Sequence, residues 1–208
     1  MDLQYFGANC VSLSSRDVRV VVDDYLSSHG GKSILKPGDI ALFTSTEPAS
    51  LPATKITIAG PGEYEVSNIS ITGIPVRAHM DEAGKLSATM YKVETSELTF
   101  LFTGHVYPEL SEDQLESIGL VDVMVVPVGG NGYTLDGVGA LKLIKEIEPK
   151  MVIPTHYDEK GLQFEVPQQT LEQAIQSLGM EVKVTTPKLK LKPADLAEVT
   201  ELVVLERS

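Results

Sequence analysis

A chain of 208 residues, 42% hydrophobic and 22% charged, is long enough to bury a sizeable core and lacks the composition of a disordered segment. Its 29 acidic against 17 basic residues, a net charge of −12, repel a phosphate backbone and argue against general nucleic-acid binding. A single cysteine, Cys10, excludes an internal disulfide and fits a reducing compartment. No run approaches the roughly 18 apolar residues of a membrane span. The opening MDLQYFGANC has no basic stretch followed by an apolar one, so the expected location is cytoplasmic, away from membranes.

The first hundred residues read as β-rich. LQYF, CVSLSS, VRVVVDD, IALF, KITIAG, NISITGIPV, ATMYKVET and LTFLFTG are short runs of Val, Ile, Thr and aromatics, most of them punctuated by Gly, Pro, Ser, Asn or Asp. GPGEY and VGGNGY read as Gly-rich turns, and neither has the Lys that closes a phosphate loop. Ser111 and Gln114 in SEDQLESIG have capping-box spacing, and Gly119 closes that helix. Residues 122–128 (DVMVVPV) form a near-continuous apolar run, as in a strand buried on both faces. A helix follows over 134–148, with Leu135, Val138, Leu141 and Ile144/Ile147 as its apolar stripe. KMVIPTH (150–156) is a second buried strand, and Pro167 opens a further helix that Gly179 stops. The Lys183–Lys192 segment alternates as a strand with one solvated face. Meanders followed by β-α-β units predict an α/β architecture, two mixed sheets with helices outside, folded as one domain over 1–208.

Four histidines are the main chemical material. His29, in SSHGGK, reads as a solvated loop residue. His79, His105 and His156 each stand at or just beyond a predicted strand end, where ligand sites of layered α/β folds gather. Three such imidazoles could make one catalytic-zinc ligand set or be unrelated structural residues. Asp23 and Asp24, closing VRVVVDD, could orient a ligand or cap a turn. Cys10 reads as a small core residue.

Several stretches carry a resemblance: YFGANCV, GPGEYEV, GIPVRAH, FTGHVYPELSEDQLESIG, VDVMVVPVGGNGYTLDG, EPKMVIPTHY and LAEVTELVVLE. Together they resemble a small bacterial branch of the metallo-β-lactamase-fold superfamily, zinc-dependent hydrolases with lactonase-like relatives, over essentially the whole chain. The resemblance implies an αββα sandwich. In that family a His-x-His-x-Asp-His loop, a further His, an Asp and a final His hold two metals that activate water. Asp23 matches the first-motif strand end, His79 the third-motif His and His156 the final His. FTSTEPAS stands in place of the His-rich loop, and His105 in place of the bridging Asp. Neutral imidazole offers one lone pair and no charge, so His105 cannot bridge two cations. The resemblance therefore implies at most a mononuclear or residual hydrolase of an ester, lactone or phosphorylated small molecule. Such a site would hold one Zn²⁺ on His79, His105 and His156, with Asp23 or Asp158 as second shell or base, and Glu47, Tyr133 and Asp136 in the pocket. The alternative is a non-catalytic binding or assembly scaffold without cofactor, taking a small-molecule ligand and compatible with a homo-oligomer.

Overall fold

The computed structural model describes residues 1–15 and 17–208. The amino-terminal part holds β1 (Asp2–Gly7), β2 (Cys10–Ser14), β3 (Arg19–Val22), β4 (Ile40–Leu42) and β5 (Ile56–Ile58). Next come β6 (Gly62–Val66), β7 (Ile69–Val76), β8 (Ala88–Glu94), β9 (Thr99–Phe102), α1 (Glu112–Ile118), β10 (Val123–Pro127) and α2 (Gly137–Ile147). The chain ends through β11 (Met151–Thr155), α3 (Leu171–Leu178), β12 (Val182–Thr186), β13 (Leu189–Lys190) and β14 (Glu201–Leu205). One sheet runs β13-β1-β2-β3-β4-β5 and the other β12-β14-β11-β10-β9-β8-β7-β6.

Side-chain alternation explains how the sheets stack. Val20, Val22, Ile40 and Leu42 of the smaller sheet face the main core, which also takes Ile71, Val93, Phe100 and Phe102 from the larger sheet. Their alternates Val21 and Ala41 face the opposite way, into a second cluster with Cys10, Leu26, Leu35, Phe43 and Leu162. Each strand thus buries both faces, because successive side chains point to opposite sides of a sheet. Cys10 is wholly buried, as a small core residue should be. The apolar runs read as doubly buried strands are so: every residue of β10 and β11 is buried, and the two pair in parallel. Helices α2 and α3 pack together beside the larger sheet, with α1 against β7. Among the described residues no helix is long and apolar enough to cross a membrane.

Four local expectations change. GPGEY is a turn only as far as Pro61, since Gly62–Val66 pairs antiparallel with β7 as an edge strand. α2 starts at Gly137, which rotates its stripe: Ala140, Leu143, Ile144 and Ile147 are buried, while Val138 is 64% exposed. α3 begins four residues after Pro167, with Thr170 and Gln173 forming a capping box. The intervening segment stays extended because Gln169 gives its N–H to the Gly129 carbonyl and its own carbonyl accepts from Asp158 N–H. Finally, β12 is exposed on both faces, not one, being the outermost strand of its sheet.

Candidate functional site: a histidine-lined cavity

Strands β3 and β4 run parallel, as do β9, β10 and β11. β7 reaches the direction of β9 through two antiparallel steps across β8. Their carboxyl ends therefore gather at one edge of the sandwich, the usual place for a site in layered α/β folds. His79, His105 and His156 follow β7, β9 and β11. With His29, they line a cavity of about 310 Å³ that also takes Asn9, Tyr25, Tyr133, Phe164 and Gln168.

The imidazoles are tightly specified. His156 is buried in a left-handed backbone conformation (φ 53°), rare for a non-glycine residue. Its N–H donates to the Ala8 carbonyl at 2.6 Å. Its ring meets that of His105 at right angles, 4.4 Å between centroids, and lies 5.0 Å from Phe164 and 6.3 Å from His29. Nδ1 of His156 is 3.2 Å from Gln168 Oε1, while the Gln168 amide nitrogen donates to the Val166 carbonyl at 2.6 Å. His29 Nδ1 lies 2.9 Å from the Gln163 carbonyl, and His79 Nδ1 3.3 Å from the Val106 carbonyl. Carbonyl oxygens only accept, so in all three rings the proton sits on Nδ1. His105 differs: its Nδ1 is enclosed with no partner among the described residues. Burial, then the neighbouring imidazoles, holds His105 well below the ordinary histidine value. Burial also lowers His156 to about 4. Both rings are neutral at pH 7.

Next to this cavity Asp23, wholly buried and also left-handed (φ 52°), organises a second network. Its Oδ1 accepts from Thr44 N–H at 2.7 Å. Its Oδ2 accepts from Thr44 Oγ1 and Asn9 Nδ2, each at 2.6 Å. Asn9 in turn accepts from Thr155 Oγ1 at 2.6 Å, tying the ends of β3, β4 and β11 together. Burial raises the Asp23 carboxyl to about 6, against the pull of the Thr44 and Asn9 donors. Gly104 makes room for this arrangement, since a Cβ there would lie 2.3 Å from Thr44 Oγ1.

These residues do not fit a two-ion centre. Thr44 fills the start of the substituted loop and spends both its donors on Asp23, while Ser45, Thr46 and Glu47 are exposed. Among the described residues no group of three or more His, Cys, Asp or Glu side chains is arranged to hold a metal ion. His79, His105 and His156 share one cavity.

The remaining candidates divide. Tyr133 does line the cavity, edge-on to His105 at 5.2 Å. Glu47 lies instead in a neighbouring groove with Thr89 and Ser87. Asp136 is the N-cap of α2, accepting from Gly139 N–H at 2.8 Å. Asp158 is exposed and outside the cavity lining, and Asp23 reaches the cavity only through Asn9. Replacing Asp136 with Ala should cost about 1 kcal/mol of stability in a denaturant titration, the usual worth of an N-cap, with the cavity unchanged. Sequence reading missed His29, Asn9, Phe164 and Gln168. His29 is half-buried rather than solvated, because residues 29 and 163 exchange hydrogen bonds through ring, N–H and carbonyl groups. Its Gly-Gly neighbours were the one local hint: Gly30 supplies the left-handed cap that turns the chain there.

Two mixed sheets flanked by three helices, with strand ends carrying histidines at one edge, define a metallo-β-lactamase-fold protein. The chain belongs to the beta-lactamase superfamily, whose domain model matches residues 2–156. A metal-dependent hydrolase of Salinibacter ruber is 25% identical, the match covering 76% of this chain and 85% of that one. One from Carboxydothermus hydrogenoformans is 46% identical over 44 residues, a match spanning only 19% of its length. Among solved structures, a candidate Zn-dependent hydrolase of the metallo-beta-lactamase superfamily from Thermotoga maritima superposes with a TM-score of 0.78 at 22% identity, covering 99% of both chains. The chain is thus related to metal-dependent hydrolases, and the structural likeness speaks for the fold.

Proposed function

We propose that this protein binds a small molecule in the histidine-lined cavity, as a superfamily member that has kept the fold without two-ion hydrolysis. The supporting observation is the state of Asp23: both carboxylate oxygens are taken by Thr44 and Asn9, and the exposed loop that follows brings no nitrogen or sulfur ligand. A cavity of about 310 Å³ mixing aromatic walls with a few polar groups suits a small organic ligand. Nucleic acid and membranes are not partners in this reading, and the lone buried Cys10 suits a reducing, cytoplasmic setting.

A second reading has one observation in its favour. Two imidazoles of the expected set, His79 and His156, are held through Nδ1, in the manner of metal-bound histidines. One Zn²⁺ on His79, His105 and His156 would supply Lewis acidity and an activated water. Asp23 would act there only through Asn9, Asp158 would have to reach in from outside the lining, and the substrate would be an ester, lactone or phosphorylated small molecule. One experiment separates the readings. Untagged protein is dialysed against trace zinc or manganese, and bound metal per chain is measured before and after His156→Ala. The expected result is no stoichiometric ion. One ion per chain, lost in the variant, overturns the metal-free reading and establishes the second.

A further inference from the structure

We propose that the cavity takes an uncharged molecule that donates an N–H or O–H hydrogen bond to Nε2 of His156, and that Gln168 is the positioning residue that keeps this nitrogen unprotonated. The inference rests on the reading of the cavity as a ligand site and adds the ligand's chemical class.

The carboxamide of Gln168 has a fixed orientation. Its nitrogen donates to the Val166 carbonyl, which turns Oε1 toward His156 Nδ1. An amide oxygen cannot donate, so Nδ1 must carry the imidazole proton and Nε2 keeps its lone pair. Among the described residues Nε2 has no hydrogen-bond partner, nor is it one of the enclosed, unpartnered atoms, so it is open to the cavity. The arrangement is built into the backbone. A Cβ at residue 129 would lie 2.1 Å from Gln168 Oε1 and 2.1 Å from the His156 carbonyl oxygen, so only glycine admits this pair. His29 and His79 are held in the same tautomer by main-chain carbonyls. In these tautomers each of the three rings keeps the lone pair of its Nε2.

Charge selects further. Among the described residues no Lys or Arg lines the cavity, and the one charged lining residue, Glu165, is exposed. A carboxylate or phosphate would be buried without a counter-charge and beside a chain of net −12. A cation fares little better on the floor, where the same enclosure keeps imidazoles uncharged. An uncharged donor group meets neither penalty. Phe164, 5.0 Å from the His156 ring and 5.1 Å from His29, supplies the face for an apolar body next to that donor, with Tyr133 opposite His105.

The test uses full-length protein labelled with ¹⁵N-histidine and long-range ¹H–¹⁵N spectra, which report each ring's tautomer directly. Wild type should show His156 as the Nδ1–H form, Gln168→Leu should show a mixture, and Gln168→Glu should restore it. A residue that merely filled space would leave the tautomer unmoved. Four probes are then titrated: benzamide, N,N-dimethylbenzamide, benzoate and benzylammonium. Benzamide should perturb His156 Nε2 and bind about tenfold more tightly than the dimethyl compound, the worth of one hydrogen bond. An Nε2–H tautomer in the wild type overturns the proposal, and so does benzoate or benzylammonium binding as well as benzamide. No response to any probe overturns instead the reading of the cavity as a ligand site.

Discussion

Acidification from pH 7 to pH 4 should remove about 3 kcal/mol of folding stability through His156 alone. Its folded value of about 4 lies below the ordinary 6.5, and one unit is worth about 1.4 kcal/mol. The sign follows from proton counts: below pH 6.5 the unfolded chain takes up a proton that the folded chain refuses. The contribution is complete above pH 6.5 and is lost as pH falls toward 4. His105, lowered in the same way, adds in the same direction. Asp23 opposes both. Its folded value of about 6 exceeds the unfolded 3.8, so its contribution is complete below pH 3.8 and disappears as pH rises through 6. Comparison with a variant isolates the histidine. His156→Asn suits the left-handed backbone, which asparagine tolerates, and cannot titrate. The variant should be less stable at pH 7 yet lose about 3 kcal/mol less than wild type between pH 7 and pH 4, read from urea midpoints. Parallel pH curves for the two proteins would show that His156 is not buried as a neutral ring.

Much of this structure is legible in the sequence where the physics is local. Runs such as DVMVVPV and KMVIPT can only be doubly buried strands, and Ser111 with Gln114 states its own cap. The placement of His79, His105 and His156 at strand ends follows from the same runs. What escapes is set by distant partners. His29 sits among serines and glycines and reads as solvent-facing; its burial depends on Gln163 and Phe164, more than 130 positions away. Gln168 lies in a polar stretch that reads as the start of a helix, and only its contact with His156 gives it a role. Asp136 errs in the other direction. A carboxylate after a Gly-rich turn looks like a site residue, yet the helix begins at the next residue, and the carboxylate caps it. The replaced loop is intermediate: its lack of ligands is plain in FTSTEPAS, but only the fold shows Thr44 bonded to Asp23.

Gly129→Ala should cost about 3 kcal/mol or more and abolish the Nδ1–H preference of His156. Gly129 is not among the glycines with a positive φ, so alanine meets no backbone strain there and the whole cost is steric. The new Cβ would fall 2.1 Å from Gln168 Oε1 and 2.1 Å from the His156 carbonyl oxygen. The carboxamide is the end of a flexible side chain and could swing away. The carbonyl belongs to a residue pinned by its N–H to Ala8 and could not, so the strand end itself would have to move, and overpacking of this kind is seldom relieved cheaply. Gly132→Ala is the control. Gly132 lies three residues on with φ +76° and nothing within 4 Å of an added Cβ, so its cost should be only the left-handed strain of about 1–2 kcal/mol. Adding Gln168→Ala to Gly129→Ala divides the steric cost. Recovery of only a minor part identifies the His156 carbonyl as the obstacle, and full recovery assigns the clash to the carboxamide. Should Gly129→Ala prove no worse than Gly132→Ala in thermal and urea unfolding, the close packing of Gly129, Gln168 and His156 is wrong, and the means by which Gln168 holds the His156 tautomer goes with it.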